Sequence, residues 1–295
     1  MTTDFTPAEH LVQLRVDKFK LELPKYVAAI LADVPHENVR RAVHELALQP
    51  NDVLPKRRER PHALSAYAVQ LIGRAFGLRD EPLDTLIRMA IAFVEAGDIY
   101  DDVVDGDVRP GHEHRALAVC TSLHFVATRC ALRLGPRVAL DWLAAMQDLP
   151  HALLLEKDGD GSLPVYLEAV QAQASLFGAL AQAAGNAADA EPQRVARAAN
   201  LAKLLYGVLQ YLQDQREAPR ELGSAPTSSL AANIMRHLGP DQVLALLGQA
   251  HHQMLEDLAA FAPGRDTDRL REFVTAMQPR TGPADGNGAG TTGAG

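Results

Sequence analysis

Four aspartates spaced three and four residues apart end one apolar stretch of the sequence: Asp98, Asp101, Asp102 and Asp105. They continue a stripe of apolar side chains at helical spacing, so one helix face changes from apolar to acidic at its carboxyl end. Carboxylates at that end face the negative pole of the helix dipole and repel one another, at about 0.3–0.5 kcal/mol per pair. A divalent ion would offset this repulsion, and oxygen ligands one turn apart favour Mg²⁺ bridged to a phosphate. A solvated acidic helix end capped by arginine is the alternative.

The elements that must position these aspartates are helices. The chain contains 48 alanines and only 6 isoleucines among 295 residues, and this usage favours helices over strands. Apolar residues recur at helical spacing in about nine segments. These segments are residues 8–33, 36–48, 62–77, 82–105, 114–134, 136–148, 163–185, 191–217 and 228–262. The sequence therefore predicts an all-α protein.

The breaks between these segments are short turns rather than domain linkers. Residues 1–278 are therefore predicted to form one domain. Residues 279–295 are rich in glycine and cannot bury enough apolar surface to offset the entropy of ordering, so we predict a disordered tail there.

Composition and charge exclude several classes of protein. With 47% apolar residues the chain can build a sizeable core, and its formal net charge of -8 argues against a nucleic-acid-binding surface. Cys120 and Cys130 lie ten residues apart in one predicted helix, too far apart for a disulfide. The sequence shows neither a long uncharged apolar stretch nor a signal peptide. We expect a cytoplasmic protein without a membrane span.

Several motifs, in this order, resemble those of the trans-isoprenyl diphosphate synthase (polyprenyl synthetase) family. The run Asp101-Asp102-Val103-Val104-Asp105, followed by Arg109, matches the family's first aspartate-rich motif. Upstream, residues 57–61 resemble its basic motif. Downstream, residues 174–177 lie where its Lys-Thr helix runs, and residues 207–217 lie where its second aspartate-rich motif stands. The resemblance covers about residues 10–262.

The resemblance implies a fold, an activity and a set of site residues. The fold would be a single-domain bundle of about ten helices around a central cavity, and the protein a homodimer. Mg²⁺ ions would bind an allylic prenyl diphosphate and stabilise the departing pyrophosphate. The implied metal ligands are Asp101, Asp102, Asp105, Asp214 and Glu217, and the implied diphosphate-binding residues are Arg109, Arg57, Arg58, Arg60 and Gln210.

Departures from the family pattern affect both substrates. Gln213 and Glu217 replace two aspartates of the second acidic motif, and Ala172-Gln173 replaces the Lys-Thr pair. On the acceptor side, Val94 replaces a histidine and Pro110 an arginine. The acceptor is therefore either isopentenyl diphosphate or a different molecule. Small residues before the acidic run, Ala96 and Gly97, imply a donor or product of farnesyl to geranylgeranyl length or longer.

Asp98 is an addition to the family pattern, because it stands where the family usually carries an apolar residue facing the pocket. A carboxylate there must be hydrated, paired or protonated. It could stabilise a cation or take a proton from a bound acceptor, so it joins the candidate catalytic residues Asp101, Asp102 and Asp105. Pairing with Arg88 or another neighbour is the alternative.

Three functions are consistent with these observations. The first is a Mg²⁺-dependent trans-prenyltransferase. The second is a terpene synthase (cyclase) that acts on one prenyl diphosphate, although Pro219 is expected to interrupt the helix that a cyclase's second metal motif needs. The third is a non-catalytic regulatory subunit of a heteromeric synthase.

Overall fold

The computed structural model describes residues 7–54, 61–221, 233–259 and 261–278, while the side chains of residues 8, 157 and 215–221 lie outside the description. These residues form α-helices and one short 3₁₀ turn, Ile234–Arg236. The helices are α1 (Pro7–Lys20), α2 (Leu23–Ala32), α3 (Glu37–Ala47), α4 (Ala63–Ala75), α5 (Asp80–Val104), α6 (Glu113–Leu134), α7 (Pro136–Ala145), α8 (Asp148–Asp158), α9 (Leu163–Ala187), α10 (Pro192–Glu221), α11 (Pro240–Leu258) and α12 (Arg265–Ala276). The predicted all-α class is confirmed.

Helix α5 lies in the middle of the bundle and carries the aspartates. It packs against α2, α4, α6 and α9, and its buried residues are spread around the helix, from Leu83 to Ile99. A helix that is apolar on several faces must be surrounded by others, which explains why α5 is central.

Helices α9 and α10 pack against each other, and glycine lets them approach closely. A Cβ added at Gly185 of α9 would lie 2.7 Å from Cγ2 of Val195 on α10. Contacts between aromatic rings connect α5 to α9 and α9 to α10. The rings of Phe93 (α5) and Phe177 (α9) lie 6.3 Å apart, and Phe177 stacks on Tyr206 (α10) at 4.7 Å.

Several predicted boundaries need correction. The single helix predicted over 8–33 is two helices, because a turn at Leu21 and Glu22 separates α1 from α2. The apolar periodicity did not predict α8 or α12. The charged helix α12 has a narrow apolar face, Leu270, Phe273 and Val274, which is buried although its mean hydropathy is low. The predicted helix over 228–262 begins only at Pro240 within the described residues.

One helix in the described part, α6, is long and apolar enough by length and composition to cross a membrane. A core helix meets the same test, and α6 packs against α3, α5 and α7. Its buried residues include Cys120 and Cys130, which are free thiols as predicted. Residues 279–295 lie outside the described residues, so the division into a domain and a disordered tail stays a prediction.

Candidate active site

The acidic end of α5 is closed by a glycine turn that holds three aspartates together. Gly106 has φ +74°, and its N–H donates to the carbonyl of Val103 at 3.2 Å while Asp107 N–H donates to the carbonyl of Asp102 at 2.9 Å. This is a Schellman ending, which needs the left-handed conformation that glycine adopts readily. Asp101 and Asp102 therefore stand in the last turn of α5, and Asp105 caps it.

These three aspartates differ in their access to solvent. Asp102 is buried, with 4% of its surface exposed, Asp101 is half-buried and Asp105 is exposed. The end of α5 thus presents carboxylates from the protein interior out to the surface. Such a graded set can bind a hydrated cation on its outer side.

Carboxylates on three helices, α5, α8 and α10, raise the pKa of Tyr206 through their charges. Burial raises the pKa of Tyr206 most, and the charges of Asp101, Glu156, Asp98 and Asp214 raise it further. The hydroxyl donates to Oε1 of Gln173 at 2.5 Å, and Nε2 of Gln173 donates to Glu156 at 3.2 Å. Gln173 of α9 therefore connects α8 and α10. The interior between α5 and α10 is acidic.

Asp214 is held by hydrogen bonds on both carboxylate oxygens. Its Oδ2 accepts from the hydroxyl of Tyr166 at 2.6 Å and from the backbone N–H of Ile234 at 3.0 Å. Its Oδ1 accepts from Nε2 of Gln210 at 2.9 Å, and the side chain of Asn233 donates to its backbone carbonyl at 2.9 Å. The residue is 3% exposed. This geometry suits an anchor for the segment before α11, and the expected role of Asp214 as a metal ligand stays a prediction.

The other residues expected on α10 are only partly described. Gln210, expected to bind diphosphate, uses its amide N–H for Asp214, and the side chain of Glu217 lies outside the description. The expectation that Pro219 interrupts the helix is wrong, because α10 continues to Glu221. A proline so near the end removes a hydrogen bond only from the last turns.

Asp98 is paired with His62 rather than with Arg88. Its Oδ2 is in ion-pair contact with Nδ1 of His62, just before α4. The backbone N–H of His62 donates to Oε1 of Glu95 at 2.7 Å. Arg88 lies ten residues earlier on α5 and instead contacts Asp33 at 3.9 Å. The alternative that Asp98 pairs with a neighbour is therefore confirmed, with His62 as the partner in place of Arg88.

The basic residues expected to bind diphosphate are less well described. Arg109 lies on the exposed loop after α5, where its backbone N–H donates to the carbonyl of Val53 at 2.9 Å. Arg57, Arg58 and Arg60 lie outside the described residues. Of the small residues beside the acidic run, Ala96 is wholly buried, whereas a Cβ added at Gly97 would meet nothing within 4 Å. Open space therefore adjoins α5 at Gly97.

A surface cavity elsewhere has a different character. It has a volume of about 390 Å³ and includes Lys25, Arg79 and Asp84 in its lining. Asp84 and Asp101 stand seventeen residues apart on α5, which corresponds to about 25 Å along the helix axis. This cavity is therefore separate from the acidic end of α5.

Sequence reasoning missed several site residues. Tyr206, Gln210 and Asp214 follow one another at four-residue spacing, so one polar stripe on α10 could have indicated Tyr206. No comparable signal exists for Tyr166 or Glu156, because they meet the site from other helices.

Comparisons with known proteins assign the fold. The chain is similar to an FPP/GFPP synthase from Zymomonas mobilis, with 17% identity over 90% of this chain and 98% of that one and a TM-score of 0.67. It is also similar to a geranylgeranyl pyrophosphate synthetase from the archaeon Geoglobus acetivorans, with 14% identity, coverage of 90% and 99%, and a TM-score of 0.68. A polyprenyl synthase from Caulobacter crescentus CB15, complexed with calcium and isoprenyl diphosphate, shows 16% identity, coverage of 94% and 99%, and a TM-score of 0.67.

No family model and no curated protein matches the sequence. The structural likeness therefore establishes the fold alone. The described residues, which are helical, have the isoprenoid synthase fold, as the motifs predicted.

Proposed function

We propose that this chain is a Mg²⁺-dependent trans-prenyltransferase of the polyprenyl synthetase family. It would ionise an allylic isoprenyl diphosphate and transfer the prenyl chain to isopentenyl diphosphate or to a non-standard acceptor, with release of pyrophosphate. The observation that carries the proposal is the set Asp101, Asp102 and Asp105 at one end of α5 in this fold. A prenyltransferase needs such carboxylates because the leaving group is a polyanion that metal ions must neutralise.

The donor set at the end of α5 fits Mg²⁺, because every ligand is a carboxylate oxygen and the outer residues are exposed to water. When bound, Mg²⁺ would neutralise the diphosphate and stabilise it as a leaving group. Asp101, Asp102 and Asp105 are the proposed ligands, with Glu217 as a candidate from α10. Asp214 is not included, since its oxygens already accept hydrogen bonds from three donors.

The remaining residues would bind and orient the substrates. Arg109, on the exposed loop after α5, is proposed to bind the donor diphosphate. Arg57, Arg58 and Arg60 are proposed to bind the acceptor, as the resemblance implies. The open space beside Gly97 would hold the hydrocarbon chain away from water, and this protects a carbocation from hydrolysis.

A cyclase is the second candidate function. Val94 and Pro110 favour a cyclase, because they replace a histidine and an arginine that the resemblance places on the acceptor side. A cyclase needs no such second substrate. A third candidate, a regulatory subunit of a heteromeric synthase, is favoured by the hydrogen bonds that hold Asp214. Both candidates use the same fold, but the cyclase forms a product from one prenyl diphosphate, whereas the regulatory subunit forms none by itself.

We further propose a cytoplasmic homodimer. Exposed apolar side chains of α6 and α7 form what we call the apolar face: Leu117, Phe125, Leu132, Leu140 and Leu143. Large exposed apolar patches are typical of protein interfaces. A second copy of the chain would cover this face in solution.

The test is incubation of the purified protein and Mg²⁺ with geranyl, farnesyl and geranylgeranyl diphosphates, each with and without isopentenyl diphosphate. Pyrophosphate release and products are followed. We expect the double variant Asp101→Ala/Asp102→Ala to lose about 10²–10³-fold or more of the release rate. The matched control is Asp158→Ala/Asp160→Ala, which removes two exposed aspartates at the end of α8 and should leave the rate unchanged.

The products separate the candidate functions. Elongated diphosphates indicate a chain-elongating transferase, whereas a hydrocarbon or alcohol from one substrate indicates a cyclase. Pyrophosphate release that does not exceed that of the Asp101→Ala/Asp102→Ala variant under any condition contradicts the proposal for these donors.

A further inference from the structure

A second group of metal-ligating side chains lies where α4 begins against α5. It consists of His62, Glu95 and Asp98, and one ligand atom of each lies within 4.8 Å of the other two. His62 Nδ1 contacts Asp98 Oδ2 and lies 3.9 Å from Oε1 of Glu95. The group therefore brings a ligand atom of His62, just before α4, close to ligand atoms of Glu95 and Asp98 on α5.

Burial distinguishes this group from an ordinary acidic surface. The side chain of Glu95 is 0% exposed, that of Asp98 is 17% exposed and that of His62 is 31% exposed. A wholly buried carboxylate is costly unless cations or hydrogen-bond donors surround it. The partly exposed His62 and Asp98 give an ion a route from solvent to Glu95.

We propose that His62, Glu95 and Asp98 bind a divalent first-row transition metal, with Zn²⁺ as the best match. Imidazole nitrogens and carboxylate oxygens are both Zn²⁺ ligands, and a site with three protein ligands leaves the fourth position to water. Bonds of about 2.0–2.2 Å separate neighbouring tetrahedral ligands by roughly 3.3 Å. The group needs only small side-chain shifts to reach this geometry, because its ligand atoms already lie within 4.8 Å.

The contact between His62 and Asp98 supports this assignment. The ligand atoms of these two side chains, which lie thirty-six positions apart in the sequence, are already in contact. One divalent ion would bind both atoms, because an imidazole nitrogen and a carboxylate oxygen are both Zn²⁺ ligands.

The proposed site goes beyond the proposed function and does not depend on it. Its ligand set includes Asp98, one of the candidate catalytic residues, but none of the proposed Mg²⁺ ligands Asp101, Asp102 and Asp105, and it contains a nitrogen ligand. Mg²⁺ prefers oxygen ligands and keeps several waters, whereas imidazole favours Zn²⁺ and similar ions. The two sites can therefore be tested separately in the same protein.

The experiment is a calorimetric titration of the full-length, metal-free protein with Zn²⁺ in excess Mg²⁺, repeated with Co²⁺ and followed by visible absorption. We expect one Zn²⁺ per chain. His62→Ala and Asp98→Asn should each weaken the affinity by at least about 100-fold, because replacing even an outer-shell partner costs 10–100-fold. The control His114→Ala, at an exposed histidine, should bind as the wild type does.

Each outcome decides the proposal. If the wild type binds no Zn²⁺, or if His62→Ala and Asp98→Asn both bind it with unchanged affinity, the site does not exist. Circular dichroism checks that both variants are folded, and Asp98→Asn keeps the size of the side chain. The Asp101→Ala/Asp102→Ala variant should retain Zn²⁺ binding. Loss of Zn²⁺ binding in that variant would assign the ion to the end of α5 and overturn the separate site. Failure of the prenyltransferase assay would contradict the proposed function but not the Zn²⁺ site.

Discussion

Two buried aspartates, Asp102 and Asp214, have different surroundings that suit them to different roles. Asp102 is 4% exposed and Asp214 is 3% exposed, so burial alone does not distinguish them. Asp102 shares the end of α5 with other carboxylates, an arrangement that a cation would stabilise. Asp214 accepts hydrogen bonds from Tyr166, Gln210 and Ile234, and these donors already stabilise its charge.

Replacing Asp214 by asparagine should reduce stability and leave metal binding intact. The variant Asp214→Asn puts an amide NH₂ where one carboxylate oxygen now accepts a hydrogen bond. We expect the free energy of unfolding to fall by about 1–3 kcal/mol, because a buried donor then loses its acceptor. Urea denaturation measures this, and Tyr166→Phe, which removes one donor, should cost less. A loss of Mg²⁺ affinity as large as that of Asp101→Ala/Asp102→Ala would instead assign Asp214 to the metal.

At the scale of elements, one aspartate joins three helices. Asp33 ends α2 and accepts two hydrogen bonds of 2.7 Å from Arg133 of α6. Arg129 and Arg88 approach it at 3.6 and 3.9 Å. The hydrogen bonds from Arg133 hold the pKa of Asp33 below its usual value of 3.8, although partial burial opposes this shift. The junction holds α2 mainly against α6, with a longer contact to α5, the helix that carries the acidic run.

This junction should make stability depend on pH in acid. The folded-state pKa of Asp33 is depressed, so its contribution is complete above pH 3.8 and is lost as the pH falls through the folded value. Asp33→Asn should lower the free energy of unfolding by about 2 kcal/mol at pH 7, and the difference from wild type should shrink in acid. Urea denaturation across pH tests this, with the exposed Asp17→Asn as a control that changes stability by less than about 0.5 kcal/mol. A difference that is constant with pH contradicts the explanation.

At the scale of the whole molecule, the apolar face of α6 and α7 is the feature that the packing of one chain does not explain. Phe125 is 67% exposed and Leu140 is 69% exposed, while the opposite side of α6 is buried in the bundle. Large apolar side chains exposed on the outer side of α6 would be stabilised by burial against a partner. This feature supports the proposed homodimer.

The variant Phe125→Glu should convert the dimer to a monomer. A charge buried at the interface without a partner is costly, so we expect the dissociation constant to rise by at least about 30-fold. Analytical ultracentrifugation over a range of concentrations measures this. Leu21→Glu, at a residue that is 81% exposed outside the apolar face, is the control. A wild type that sediments as a monomer, or a Phe125→Glu variant that dimerises normally, contradicts the proposal.

The sequence by itself determined the helical class and the acidic end of α5, because both are local. Periodicity of apolar residues places Leu86, Ala90 and Asp101 on their helix faces without reference to any other segment. The glycine turn at Gly106 is likewise local. Helix α12 was not predicted, because its few apolar residues form no clear local pattern. Its apolar face is buried only by packing against α1 and α4.

Only the tertiary structure decided the partners of the site residues. Asp98 meets His62 across thirty-six positions of sequence, and Asp214 meets Tyr166 across forty-eight. Such contacts depend on how helices pack, and a sequence pattern of three or four residues carries no information about them. The hydrogen bonds of Asp214 and the group at His62 therefore depend on the tertiary packing of the helices.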